Sequence, residues 1–267
     1  MFIALNESNE RISIDKADKT HRYFCPVCGE ILSIKAIDSL AVKAHFAHKR
    51  GTECLDTWKH DMSEWHYNWQ CLFPEANREI VVEKDGVKHR ADVLINNFVI
   101  EFQHSPITAE EITERNNFYL SCGYTVVWVF DAEGKIKNTY REDNNIEPFS
   151  NDLEWKRARR EFNIKTPEKV CIFIEYTANI ITNPPQQADI MLFLEKFSPK
   201  EIHFRDTRPM YITRGNFLKE YGVHVPDDIL SIKDIFNENK EFIASLKRTR
   251  QGTIMIVPKR NKRHCRF

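Results

Sequence analysis

No stretch of this sequence approaches the roughly 18 to 20 consecutive apolar residues that a membrane span requires. The opening segment, "MFIALNESNERISID", has neither the basic start nor the apolar core of a secretory leader. Together these absences predict a cytoplasmic protein. Net charge is missing too: 39 Lys plus Arg balance 39 Asp plus Glu, so the chain as a whole carries no signal for a polyanionic partner. It shows no internal repeat and no low-complexity segment. A disulfide framework is also unexpected. Seven cysteines is an odd number, a reducing compartment keeps most of them as thiols, and their spacing favours metal and core roles.

What is present is enough for a globular fold. With 267 residues, 42% hydrophobic and 29% charged, the chain can bury a core in one large domain or two smaller ones. Charge is unevenly spread. From Phe242 to Phe267 there are eight basic residues (Lys247, Arg248, Arg250, Lys259, Arg260, Lys262, Arg263, Arg266) and no acid, and "WKRARR" at 155–160 adds Lys156 and Arg157. Such clusters can neutralise phosphates. A solubilising tail and a solvated helix face fit them equally well.

Periodicity divides the chain further. Residues 1–55 read as short strands and turns around a cysteine knuckle. "DTWKHDMSEWHYNWQCLF", 56–73, predicts a helix, with Trp58, Met62, Trp65, Trp69 and Leu72 on one apolar face. Three strands follow, "REIVVEK", "RADVLI" and "FVIEFQ", with turns at Gly86 and at Asn96-Asn97. "TAEEITERNNFYLSCG" predicts a second helix, capped by Thr108 and stopped at Gly123. "YTVVWVFD" predicts a strand buried on both faces. The expected architecture is α/β: helix, three-strand meander, helix, central strand, with a small N-terminal metal module. Beyond residue 150 the expectation is a basic helix, the strand "KVCIFIEY", a break at Pro184-Pro185 and a final helix near 231–248. The predicted divisions are 1–55, 56–180 and 181–267.

Cys25 and Cys28 in "YFCPVCGEIL" have the spacing of a zinc knuckle, with Gly29 permitting its tight turn. Sixteen residues separate Cys28 from His45 in "HFAH", which also supplies His48, and Cys54 follows. A structural Zn²⁺ takes four ligands and five are on offer, which leaves open which His and Cys complete the site. The His-x-x-His spacing is tighter than the usual spacing of about three to five residues, which points to one of these histidines as a mere neighbour. The site reads as structural, because nothing in it implies an open coordination position or a water-activating base.

The hairpin around Asn96-Asn97 carries the more unusual pattern. With those two as the loop, Ile95 faces Phe98, Leu94 meets Val99, Val93 meets Ile100, and Asp92 falls opposite Glu101. One face (Ala91, Val93, Ile95, Phe98, Ile100, Phe102) is wholly apolar and belongs against a helix. On the other, two carboxylates about 5 Å apart repel each other, and partial burial raises one pKa unless a cation sits between them. A Mg²⁺ or Mn²⁺ ion with hard oxygen ligands resolves the conflict. Gln103 would orient a water or ligate the metal, and Arg90 would hold a phosphate. An exposed face with Asp92 paired to Arg90 and Glu101 solvated satisfies the same charges. Glu79 and Glu83 read either as extra ligands or as strand-edge salt bridges.

Asp92 followed by Glu101-Phe102-Gln103, on a meander between two helices, resembles the PD-(D/E)XK nuclease core, with Gln103 where that pattern has Lys. More closely, "FCPVCGEIL", "HFAH", "SEWHYNW", "RADVLINNFVIEFQHSPITAEEITERNNFY" and "VVWVF" are similar to the competence protein CoiA family, over residues 20–160. The resemblance implies a DNA-processing, nuclease-like protein, linked in that family to recombination of incoming single-stranded DNA. It also implies Glu64 as a third acid over the site. His104, Ser105 and Arg115 read as neighbours of the site, and His104, at the turn before Pro106, reads as readily as a structural residue. The expected function is a metal-dependent DNA nuclease, acting on single-stranded or branched DNA in recombination, competence or defence. The alternative is a non-catalytic nucleic-acid-binding accessory that recruits recombination or defence proteins. A weaker option makes the last third of the chain a partner-docking domain.

Overall fold

The computed structural model describes residues 1–131 except 38, 40, 41, 59, 61 and 62, together with 136–139, 152–155, 169–180, 186–194 and 210–225. The chain forms two compact units. One comprises Met1–Pro106 and Phe118–Val126, the other Ile107–Asn117 and Val127–Phe267. The fold is mixed α/β.

The first unit begins with a five-stranded sheet: β1 (Ile3–Leu5), β2 (Arg11–Ser13), β3 (Tyr23–Phe24), β4 (Ile31–Lys35) and β5 (His45–His48), in the order β2-β1-β3-β4-β5. Its core gathers Phe2, Ala4, Ile14, Tyr23, Val27, Leu32 and Phe46. The turn between β3 and β4 is the cysteine knuckle. Gly29 N–H donates to the Cys25 carbonyl at 2.9 Å, and Gly29 holds φ at +76°, a conformation that costs glycine little.

Helix α1 runs Glu64–Cys71, not from residue 56. Helical spacing of the tryptophans suggested the longer helix, but Asp56, Trp58 and His60 lie outside it. Asp56 Oδ1 accepts from the Trp58 N–H at 3.3 Å, a local turn that competes with helix. The start is set instead by Ser63, whose Oγ accepts from the His66 N–H at 3.2 Å.

The meander follows as expected: β6 (Arg78–Lys84), β7 (Val87–Ile95) and β8 (Phe98–Gln103). Asp85 and Gly86 both take positive φ, +52° and +79°, the turn that matches the twist of a tight hairpin. The register of β7 on β8 is Val93↔Ile100, Leu94↔Val99 and Ile95↔Phe98, as the two-residue loop dictates. The apolar face of the hairpin does meet a helix. Phe102, only 2% exposed, stacks on Trp69 of α1 with ring centroids 5.1 Å apart. Burying such a side chain contributes about 1.5–3 kcal/mol.

Helix α2 spans Ala109–Ser121. Thr108 Oγ1 accepts from the Glu111 N–H at 3.2 Å, while Glu111 Oε2 accepts from the Thr108 N–H at 3.0 Å, a reciprocal cap. Strand β9 (Thr125–Asp131), which belongs to the second unit from Val127 on, is buried from Val126 onward, as its continuous apolar run implies. It joins β12 (Val170–Ile180), β13 (Gln186–Leu194) and β14 (Met210–Thr213) in the order β14-β13-β12-β9. Between β9 and β12 in the chain, β10 (Ile136–Thr139) and β11 (Asp152–Trp155) pair with each other. Helix α3 (Arg214–Glu220) follows β14, and its Arg214 pairs with the buried Glu175.

Trp155, the first residue of the basic segment expected to be helical, lies in strand β11. Lys156, Arg157, the final helix expected near 231–248, Lys259 and Arg260 lie outside the described residues. Among the described residues no helix is long and apolar enough to cross a membrane.

Candidate functional site

Two clusters in the first unit carry chemistry. The first is the knuckle. Cys25, Cys28, His48 and Cys54 bring one ligand atom each to within 4.8 Å of the others. Cys25 Sγ lies 3.9 Å from Cys54 Sγ, and Cys28 Sγ 3.3 Å from His48 Nε2. Two sulfurs bound to one ion at 2.3 Å and a tetrahedral angle stand about 3.8 Å apart, so the donors fit a small tetrahedral ion. Burial pushes the Cys54 thiol up to about 12 and raises Cys25 as well. Three neighbouring thiolates are sustainable only around a cation, and the set could hold a metal such as zinc.

His45 is the histidine left over. Its Nδ1 faces the Lys43 carbonyl at 2.9 Å, and it takes no part in the cluster. The reason is local: "HFAH" is strand β5, and residues three apart on a strand point to opposite faces.

The second cluster surrounds the hairpin acids. Asp92 and Glu101 are 3% and 1% exposed, which excludes the arrangement with a solvated Glu101. The β7–β8 ladder runs as far as Val93↔Ile100, one step short of the two acids. There the Phe102 N–H donates to Asp92 Oδ2 at 2.9 Å. The other oxygen, Oδ1, lies 3.0 Å from His66 Nε2, 3.4 Å from Gln70 Nε2 and 3.7 Å from His60 Nδ1. Burial alone would raise the Asp92 carboxyl, but His66 and His60 outweigh it and hold the group below the ordinary carboxylate range. Glu101 Oε1 accepts from the Tyr119 hydroxyl at 2.9 Å.

The expected partners of these acids are arranged differently. Glu64 is exposed at the first turn of α1, and the residues of that helix that reach Asp92 are His66 and Gln70. Gln103 is half-buried, its amide donating to the Ser105 carbonyl at 2.6 Å. His104 is exposed, with its ring 6.2 Å from that of Trp65.

Arg90 does not present itself to a phosphate. It is 4% exposed, and its Nε stands 3.9 Å from the buried Glu79. Arg115 is 3% exposed, with its guanidinium 5.9 Å over the Trp128 ring, and it too is an internal cation. Glu83 forms the strand-edge pair with Lys88, at 3.2 Å.

Glu79 is a buried anchor. Its carboxylate accepts the Phe2 and Ile3 N–H groups at 2.9 Å, and its own φ is +47°. Burial would raise its carboxyl, but Arg90 beside it prevails and the net shift is downward. Glu79→Gln is expected to cost about 3–5 kcal/mol, because it leaves Arg90 buried without its partner. Since the folded carboxyl is depressed, that stability is present above the ordinary carboxylate value and is lost as pH falls through the lower folded value. Denaturation midpoints of wild type and variant should therefore differ near neutrality and converge in acid.

Sequence reasoning missed Asp56, His60, His66, Gln70, His89 and Tyr119. A signal existed for two of them. His66 and Gln70 stand four apart in α1, as do the apolar Trp65 and Trp69, and polar residues at helical spacing beside a buried face are worth suspecting.

The family model of the competence protein CoiA N-terminal domain matches residues 6–56, and that of the competence protein CoiA nuclease-like domain matches residues 56–207. No curated protein and no solved structure matches. Cys25, Cys28, His48 and Cys54 fall within the first match and Asp92 and Glu101 within the second, and the chain belongs to the competence protein CoiA family.

Proposed function

We propose that this chain is a metal-dependent DNA nuclease with a core of the restriction-endonuclease type, and that Asp92 and Glu101 hold a Mg²⁺ or Mn²⁺ ion. The observation that carries the reading is the burial of both carboxylates at the end of their ladder, within the stretch matched by the nuclease-like family model. Buried carboxylates call for cations. Gln70 Oε1 adds to this, being buried beside Asp92 without a hydrogen-bond partner, an acceptor that a hydrated cation would satisfy.

The bound ion would polarise the phosphodiester and lower the pKa of a water for in-line attack. The chain's own contribution is orientation. His66 and the Phe102 N–H fix Asp92, and Tyr119 fixes Glu101. Gln103, whose amide nitrogen donates to the Ser105 carbonyl, would orient a water through its amide oxygen, and Glu64 adds a carboxylate at the exposed start of α1. Zinc in the Cys25, Cys28, His48 and Cys54 cluster is structural in this reading.

A second reading is a non-catalytic nucleic-acid-binding accessory of recombination or defence. The observation favouring it is Gln103, an uncharged residue in the motif's lysine position, with its amide engaged by Ser105. One experiment separates the two. Purified protein is incubated with single-stranded, duplex and branched DNA in Mg²⁺ or Mn²⁺, with EDTA controls, and binding is followed by anisotropy. Cleavage abolished by EDTA supports the nuclease. Salt-sensitive binding with intact DNA under every metal supports the accessory.

A further inference from the structure

The cluster that neither reading uses is a line of buried ionisable groups that starts beside the knuckle. Only Leu55 separates Cys54, a knuckle residue, from Asp56. The Asp56 carboxylate is shared between two imidazoles, with Oδ2 2.9 Å from His60 Nε2 and Oδ1 3.1 Å from His89 Nδ1. It also accepts the Arg90 N–H at 3.3 Å, and so grips strand β7 two residues before Asp92. His60 then turns its other nitrogen to Asp92 Oδ1, at 3.7 Å. Trp58 lies flat on His89, centroids 3.5 Å apart and planes 1° from parallel, which fixes that ring as well.

We propose that Asp56 is a positioning residue that ties the geometry of the Asp92 site to the metal-bound state of the Cys25, Cys28, His48 and Cys54 cluster. The inference rests on the metal reading of Asp92 given above. Its physical basis is the shortness of the tether. Two virtual bonds of 3.8 Å limit the Cα atoms of Cys54 and Asp56 to about 7 Å separation. Leu55 between them is 59% exposed, so its own packing adds little to hold the tether. Asp56 is therefore placed from one side by Cys54 and from the other by His60, His89 and the Arg90 amide. An ion that holds Cys54 holds the near end. Without it, Asp56 loses its upstream fixture, and His60 loses the partner that orients it toward Asp92. Groups one step removed from a metal ligand commonly change its affinity by about 10–100-fold.

The test uses the full chain, with Mn²⁺ alone as the probe of the carboxylates. Three proteins are compared with wild type: Asp56→Asn, a chain with two glycines inserted between Leu55 and Asp56, and the combination. Zinc content is measured in each, Mn²⁺ affinity is read by titration, and the imidazole ¹⁵N signals of His60 and His89 are recorded by NMR. The inserted chain is expected to keep its zinc, to shift both imidazoles, and to bind Mn²⁺ at least about tenfold more weakly. Asp56→Asn should do the same, and the combination should weaken binding little further, because both changes break one link.

Wild-type imidazole signals and Mn²⁺ affinity in the inserted chain would overturn the proposal, as would effects that multiply in the combination. If the insertion unfolds the chain or costs it zinc, Leu55→Gly takes its place, since it loosens the tether without removing a buried side chain. If wild type binds no Mn²⁺ that Asp92→Asn abolishes, the metal reading of Asp92 fails. The imidazole signals still decide whether Asp56 answers to the knuckle.

Discussion

Asp92→Asn is expected to lower metal-dependent cleavage by about two to four orders of magnitude, because the charge stabilisation a bound ion supplies is worth several kcal/mol and each 1.36 kcal/mol is tenfold in rate. The substitution is chosen for what it preserves. Asparagine keeps the volume of the side chain and an oxygen for the Phe102 N–H, so the link that closes the hairpin survives. It removes the negative charge that faces His66 and that would bind the ion. Glu101→Gln should behave alike, with the Tyr119 hydroxyl still able to donate to the remaining oxygen. The measurements are the cleavage rate at saturating Mn²⁺ and the Mn²⁺ affinity, beside a thermal midpoint that shows the variant folded. Rates within threefold of wild type in both variants would remove these acids from the reaction.

The second large effect falls on stability. Cys28→Ser is expected to abolish zinc binding and to unfold the five-stranded sheet. The binding energy of such sites, about 10–16 kcal/mol, equals or exceeds the roughly 5–15 kcal/mol of stability in a whole domain. His45→Ala is the informative control. His45 faces a backbone carbonyl and no ligand atom of the cluster, so its loss should cost about 1 kcal/mol and leave one zinc per chain. Metal content and the thermal midpoint check both variants. A His45→Ala chain devoid of zinc would reverse the assignment of His48.

How much of this was legible in the residues varies with the reach of the interaction. The β7–β8 register was legible because a two-residue loop fixes it, and Val93↔Ile100 follows by counting. Helix α2 was legible because Thr108 and Glu111 cap each other within four residues. The start of α1 was not. Trp58 and Met62 match the spacing of Trp65 and Trp69, yet Trp58 is spent on a stack with His89, 31 positions along the chain. Nothing local announces such a contact.

Arg90 misled for the same reason. Alternation placed it beside Asp92 on a face assumed to meet solvent, and its partner Glu79 sits on the neighbouring strand in a conformation few residues adopt. His45, by contrast, could have been set aside at once. If "HFAH" is a strand, one of its histidines must face away from the other.

The carboxylate of Asp92 occupies a place along β8 that a peptide carbonyl would otherwise fill, receiving the Phe102 N–H. It thereby acts as a spacer of fixed length at the mouth of the hairpin. A glutamate there would have the same charge but be one methylene too long, and would wedge the strands apart or swing its second oxygen off His66. An alanine would leave a main-chain donor facing nothing. The aim of this acid is thus inherited from the width of the gap it bridges, and only a side chain that fits that gap can keep it.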